Sequence, residues 1–404
     1  MTAPHDESPR RSVTSIAGGL VERVRGGDLG PLPVIVGLAV IWIVFQSLNP
    51  TFLSSTNLVY LTMQSAAVGT ISIGIVLVLL IGEIDLSVGS VSGLSGAIVG
   101  VGFAQLGWPL AIVLVAAVAS GALVGFVFGL LYTRFGVPSF VLTLAGLLAV
   151  LGLQLRVLGS VSSINIPFDS WIVQFGQQMF LPPIVSYAIV VVIVAVFAWR
   201  QLAEAARRSE AGLAARSVGS IVLRIVVLAA VLGVSTWYLN LTRGVAVMFL
   251  TFLALIGVMH LVLTRTRWGR AVYAVGGSVD AARRAGIRVN RIYISVFVLC
   301  STFAAIGGIF AAARLAGATS SSGAGDTNLN AIAAAVIGGT SLFGGRGSAF
   351  SALLGILVIM SISSGLTLLN LDSSIRYVVT GAVLVLAVIV DSVSRRSRAA
   401  AGRA

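Results

Sequence analysis

Residues 82–90 read Gly82-Glu83-Ile84-Asp85-Leu86-Ser87-Val88-Gly89-Ser90, two carboxylates and two hydroxyls set between long apolar runs. Only 10% of the 404 residues are charged, so acids at this place are not incidental. A carboxylate at membrane depth costs about 2.5 to 3.5 kcal/mol on insertion scales, and a plain helical span would omit it. The segment therefore marks a membrane boundary or a site. The runs on either side, Asn57 to Ile81 and Leu86 to Leu106, decide the class. They are too long for barrel strands of about 9 to 11 residues. In hydrocarbon every backbone polar group must be satisfied internally, which leaves helices.

The whole chain repeats this pattern, with 57% hydrophobic residues and a mean hydropathy of +1.05, values that suit an integral membrane protein. Further spans are expected at Leu32 to Leu48, Trp108 to Tyr132, Val137 to Leu158, Pro182 to Trp199, Ile221 to Leu239, Val245 to Leu263, Ile292 to Ala313, Leu329 to Leu342, Ser348 to Leu369 and Ile375 to Val390. The span Leu329 to Leu342 would reach only about 21 Å across a core of about 30 Å, which predicts a broken or half helix. The expected fold is an all-α integral membrane protein, a polytopic bundle of about 10–12 transmembrane helices with broken or half helices.

Positive side chains stay on the cytoplasmic side during insertion. Threading the spans with both termini cytoplasmic puts Arg10, Arg11, Arg23, Arg25, the cluster Arg200 to Arg216, the cluster Arg265 to Arg291 and Arg395, Arg396, Arg398 inside; Arg156, Arg243, Arg314 and Arg376 fall outside. Trp108, Trp199, Trp237 and Trp268 lie at expected span ends, as interfacial aromatics do. Residues 1–31 are polar and lack an apolar h-region, so they read as a disordered cytoplasmic tail and not as a signal peptide. Residues 32–391 form the membrane domain, with a cytoplasmic loop at 264–291, and residues 392–404 a basic cytoplasmic tail. A net charge of +13 without aromatic interleaving is explained by topology and anionic lipid and not by nucleic acid. Cys300, the single cysteine, lies inside a span and has a packing role; His260 has no ligand partner at metal spacing.

All 26 basic residues are arginine. A Walker A loop needs a lysine to reach the nucleotide phosphates, so this chain carries no standard P-loop. Transport energy must come from an ion gradient or a separate ATPase. The loop at 264–291 bears on that choice. Ser278 can cap a helix, Asp280 sits in its first turn where the dipole favours an acid, and Gly286 is a natural stop, which predicts a surface helix of about two turns. A solvated basic loop is the plain alternative; a docking helix for a cytoplasmic partner is the sharper one.

Asp280-Ala281-Ala282, three residues and Gly286 resemble the Glu-Ala-Ala-x-x-x-Gly coupling loop of ABC importer permeases, without the Leu-Pro that often closes it. Gly269-Arg270, Tyr273-Ala274, Gly276-Gly277, Gly82 to Ser90, Val137 to Gly146 and Ile337-Gly338-Gly339-Thr340-Ser341-Leu342 resemble the monosaccharide branch of that family. Glu83, the segment Leu106 to Leu110 and the extra length from Arg200 to Leu239 are similar to xylose-type members. Asn328 and Asn330 stand where relatives usually place acids. The resemblance implies a permease subunit in a bacterial inner membrane that is not an enzyme and holds no cofactor itself. It implies ATP and Mg bound by a partner ATP-binding subunit, a periplasmic or lipid-anchored sugar-binding protein, and a second permease copy. Gly269, Arg270, Asp280, Ala281, Ala282, Arg283 and Gly286 would then form the ATPase-coupling loop.

Read from the residues alone, Gly82 and Gly89 bracket a helix break whose freed N–H groups the Ser87 and Ser90 hydroxyls can satisfy. Gly338, Gly339, Thr340 and Ser341 open a second break, aligning Gly82 with Gly338 and Asp85 with Ser341. Paired interruptions in two halves point to a transport path, while small residues for close helix packing are the alternative. Glu83 and Asp85 can be interfacial acids paired with loop arginines, or ion carriers of a secondary transporter. Asn57, Gln64 and Thr70 fall near one face of their helix and are candidates to line a sugar path.

Overall fold

A computed structural model describes residues 32–212, 217–372, 374–375, 377–383, 385–386 and 389. Among them, nine helices are long and apolar enough to cross a membrane. The chain runs α1 Leu32–Leu48, α2 Ser55–Leu80, α3 Val88–Val99, α4 Leu110–Phe135, α5 Ser139–Leu158, β1 Ser163–Asn165, α6 Trp171–Gln177, α7 Pro183–Glu210, α8 Val218–Leu239 and α9 Val247–Arg265. It continues through α10 Arg267–Gly277, α11 Val279–Arg284, α12 Val289–Leu315, β2 Gly317–Thr319, α13 Asp326–Ile337 and α14 Ala349–Leu368. The N-terminal tail and the C-terminal tail lie outside the described residues, and the twelfth expected span is described in part, at 375, 377–383, 385–386 and 389.

Burial orders these helices. In α2, 89% of the apolar window is buried, against 6% in α7 and in α8. α2 and α12 therefore form the protein core, while α7 and α8 make a peripheral hairpin that leaves most of its apolar surface outside the bundle. Lipid tails are as apolar as leucine, so close packing and not water exclusion draws such helices together. The contact of α4 with α12 shows how. Gly121, Gly125 and Gly129 recur every fourth residue on one face of α4. A Cβ on them would fall 2.6 Å from Ala305 Cβ, 2.7 Å from Val298 Cα and 2.7 Å from Ile294 Cα, respectively. Only hydrogen at those three positions lets the backbones approach this closely.

The third and tenth expected spans are both interrupted. α3 is a 12-residue helix that continues as a π-helical turn, Gly100–Gln105. The tenth is α13, also 12 residues long. Between β2 and α13 the chain folds back into the bundle, so that the start of α13 meets the start of α3: the Asn328 side-chain amide donates to the Leu86 carbonyl at 2.8 Å. The crossing is thus completed by irregular backbone lodged inside the protein, where its polar groups can be satisfied. β1 and β2 pair antiparallel, Ile164 opposite Ala318, and tie this re-entrant segment to the face opposite the arginine-rich loops.

Candidate translocation and coupling site

Both helix breaks are built by the same local rule. Gly82 takes φ +79°, its N–H donates to Leu79 O (2.9 Å), and Glu83 N–H donates to Val78 O (3.1 Å). This is a Schellman ending, in which a left-handed residue turns two backbone donors onto the last carbonyls. At the second break Gly339 takes φ +99°, its N–H donates to Val336 O (2.9 Å), and Thr340 N–H donates to Ala335 O (3.1 Å). The equivalent of Gly82 is therefore Gly339 and not Gly338, because the left-handed turn residue defines the register. In that register Ser341 stands one residue out of step with Asp85, yet the two make the same kind of bond. Each accepts from the backbone N–H two residues on, Ser87 N at 2.8 Å and Phe343 N at 3.2 Å.

The two acids take different partners from those expected. Asp85 is fully buried, and its Oδ1 accepts from both Ser87 N–H (2.8 Å) and Ser87 Oγ (2.6 Å). The carboxylate, and not a serine hydroxyl, is thus the acceptor at the start of α3, since the Ser87 hydroxyl makes no cap bond to the helix. Ser90 is buried one turn into the helix. The Tyr132 hydroxyl donates to Glu83 Oε1 at 2.5 Å. Neither acid is within ion-pair distance of an arginine among the described residues. A tyrosine from α4 reaches Glu83, while the loop arginines point outward on exposed helix faces. Tyr132→Phe is expected to lower stability by about 1 kcal/mol, the usual net value of a hydrogen bond. A melting curve of the detergent-solubilised protein checks this, with Glu83→Gln, which keeps the acceptor, falling by less.

The loop at 264–291 folds into two short helices. Thr266 caps α10 by accepting from Gly269 N (3.0 Å), and Ser278 caps α11 by accepting from Ala281 N (3.3 Å). Gly286, at φ +79°, ends α11 with a third Schellman turn, Gly286 N to Arg283 O and Ile287 N to Ala282 O, both 3.0 Å. Ala282 and Gly269 are buried, while Arg270, Asp280, Ala281 and Arg283 are exposed and available to a partner. The same loop touches both breaks. Gly345 N–H donates to the Leu80 carbonyl (2.9 Å) and the Tyr273 hydroxyl donates to Gly347 O (2.9 Å). Burial raises the pKa of the Tyr273 phenol above its ordinary value, which keeps it a donor. Gly276 lies against Leu80 and Gly345 with no room for a side chain. The end of α2 and the loop that follows α13 therefore meet on α10, an arrangement that can carry movement of residues 264–291 into the bundle.

On the other side of the breaks lies a cavity of about 310 Å³ between α2, α3, α12, α13, α14 and the re-entrant segment. Its polar lining includes Gln64, Ser92, Arg314, Thr319, Asp326, Asn330 and Ser363. Arg314 Nε is buried there without a hydrogen-bond partner among the described residues. Of the three α2 candidates, Gln64 lies on this wall. Asn57 donates to Phe52 O (2.7 Å) and accepts from Ser364 Oγ (3.0 Å), and the Thr70 hydroxyl donates to Ala66 O (2.7 Å). Neither of them lines the cavity, because the wall of α2 runs along Gln64, Ala67, Val68 and Ile71. Sequence reading missed Arg314, Asp326 and Ser363. One signal was present, since Arg314 stood out as an arginine on the wrong side for topology. The described residues contain no cluster of three or more potential metal ligands, and His260 packs on the Phe350 ring at 4.9 Å.

A family model described as branched-chain amino acid transport system, permease component, matches residues 57–242 and 227–388. The xylose transport system permease protein of Escherichia coli K12 is 37% identical over 347 residues, 85% of this chain and 87% of that protein. Its counterpart from Haemophilus influenzae is 33% identical, over 90% of this chain and 96% of that one. The ribose import permease protein of Escherichia coli K12 is 32% identical, over 89% and 92%. No solved structure matches the chain. Likeness over nearly the whole length, in a bundle of membrane-spanning helices broken at paired glycine turns, identifies the chain as a multi-pass plasma-membrane protein. It belongs to the permease family of ABC importers, on the xylose-type monosaccharide branch.

Proposed function

We propose that this chain forms the translocation path for xylose or a related neutral monosaccharide in an ATP-driven importer. A sugar-binding protein delivers the substrate, and ATP with Mg is bound by a separate ATP-binding subunit docked on residues 264–291. A second copy of the permease completes the membrane unit. The observation that carries this reading is the polar cavity at the start of α13. Its volume of about 310 Å³ sits at the small end of ligand sites, which run from about 300 to 1,000 Å³. Its walls offer amide, hydroxyl, carboxylate and guanidinium groups, which suit the alternating donors and acceptors of a polyol. Asp326 and Arg314 bring opposite charges to one wall without pairing, which favours a neutral ligand over either ion. The missing lysine, and so the missing P-loop, agrees with an ATPase carried by a partner.

The test is uptake of labelled xylose by proteoliposomes holding the permease, its ATP-binding subunit and the binding protein. Uptake is expected to require ATP and to survive an uncoupler. Gln64→Leu and Asn330→Leu should each lower it about tenfold, the effect of losing roughly 1.4 kcal/mol of hydrogen bonding to a passing sugar. Uptake that is independent of ATP, or untouched by both substitutions, would overturn the proposal.

A further inference from the structure

We infer that Gln154 is a positioning residue of the sugar path, an inference that rests on reading the cavity as that path. Gln154 lies on α5 and is fully buried. Its Nε2 donates to the Thr319 carbonyl at 3.1 Å and to the Ser322 carbonyl at 3.0 Å, with the Ser320 carbonyl at 3.5 Å. Thr319 ends β2, Ser320 and Ser322 belong to the re-entrant segment between β2 and α13, and Thr319, Ser322 and Gly323 form cavity wall. Gln154 itself is not part of that wall. It reaches the cavity only through the backbone that it holds.

The segment needs such a clamp because it has no regular structure at membrane depth. Lipid cannot satisfy carbonyls there, and irregular backbone persists only where protein groups bind it. Within the segment, Ser322 N–H donates to Thr319 O (3.0 Å) and the Ser322 hydroxyl accepts from Thr319 N (2.9 Å). These bonds shape the turn without anchoring it to the bundle. Besides the pairing with β1, which the Ser320 N–H extends by donating to Ser162 O (3.0 Å), two contacts hold the turn against the bundle, the Gln154 amide on one side and the glycine face of α3 on the other. A Cβ on Gly93 would lie 2.7 Å from Gln154 Cδ, and a Cβ on Gly89 would lie 3.1 Å from Asn328 Cβ, so neither side has slack. Gln154 Oε1 is buried without a hydrogen-bond partner among the described residues. The side chain is therefore retained for its donor end, whose targets are the carbonyls of the path wall. Loss of that donor leaves Thr319 held by its β1 pairing but frees the turn at Ser322, which shifts the path wall leading into α13, with Asp326 and Asn330.

The experiment uses the complete importer in proteoliposomes, with xylose as the probe and saturating binding protein. Gln154→Met removes the amide at similar length. It is expected to lower the number of xylose molecules moved per ATP hydrolysed by about fivefold, near the effect of one hydrogen bond, while basal ATP hydrolysis stays within about twofold. A general folding defect would lower both together and leave their ratio unchanged, and that result overturns the inference. A second readout follows Ser321→Cys in a Cys300→Ser background, where thiol labelling reports the wall directly. Labelling is expected to be slowed by xylose with Gln154 present and to lose that protection in Gln154→Met. Should Gln154→Met fail to assemble, Gln154→Glu, of the same shape with carboxylate oxygens facing the carbonyls, is read in the same way. Unchanged coupling and protection alongside impaired Gln64→Leu would refute the role of Gln154 and leave the path intact. Unimpaired Gln64→Leu would instead remove the path reading itself.

Discussion

Gly276→Ala is expected to abolish transport and to reduce the yield of folded protein, while the neighbouring Gly277→Ala is expected to do neither. A Cβ on Gly276 would land on the Leu80 carbonyl oxygen and lie 2.6 Å from Gly345 N, and those two atoms are already joined by a hydrogen bond of 2.9 Å. All of these are backbone atoms, so no side-chain rotation can make room. Either α10 backs away from the end of α2 and the loop after α13, or the Gly345 to Leu80 bond breaks. Overpacking of this kind costs about 1 to 3 kcal/mol, and the lost bond adds about 1 kcal/mol. A Cβ on Gly277 meets nothing within 4 Å, which makes it an internal control one residue away. Thermal stability in detergent and ATP-driven xylose uptake are the measurements. Equal behaviour of the two variants would mean that α10 does not bear on the helix breaks as described.

Asp85→Leu is expected to lower folded yield and uptake by about tenfold or more, and Asp85→Asn to keep uptake within about threefold. Asparagine retains the Oδ1 that accepts from the Ser87 N–H and hydroxyl, and its amide nitrogen replaces an oxygen that no N–H or hydroxyl donor reaches among the described residues. Leucine removes the acceptor and strands two buried donors, each costing about 1 to 3 kcal/mol. It also removes the polar group at the positive end of α3. An ion-coupled transporter predicts the reverse order, with Asp85→Asn as inactive as Asp85→Leu and uptake collapsing with an uncoupler at constant ATP. Asp85 is fully buried and does not line the cavity.

The helices and the loop caps were legible because their causes are local. Apolar run length marks a span, and Ser278, Asp280 and Gly286 mark a capped surface helix, all within a few residues of the structure they produce. The half helix was legible in the shortness of its apolar run. Partner choice was not. Glu83 meets Tyr132 and not an arginine, and the register of the second break turns on Gly339, because the pattern Gly338-Gly339 does not reveal which glycine takes positive φ. The cavity was only partly visible. Gln64 could be named from its place on an apolar helix, whereas Asp326 and Ser363 look like ordinary residues of a loop and a span until the re-entrant segment carries them to one wall.

The sequence by itself determined that this is a polytopic helical membrane protein of the importer permease family, with two glycine breaks, a capped arginine-rich loop and no lysine for a P-loop. Composition and short-range capping are enough for that, since lipid forces every span to satisfy its own backbone. Only the tertiary structure decided that both breaks rest on α10, that Asp85 serves the start of α3, and that a polar cavity opens where α3 and α13 meet. Those outcomes depend on which backbones can touch. They follow from glycines and one buried glutamine whose partners lie tens to hundreds of residues away in the chain.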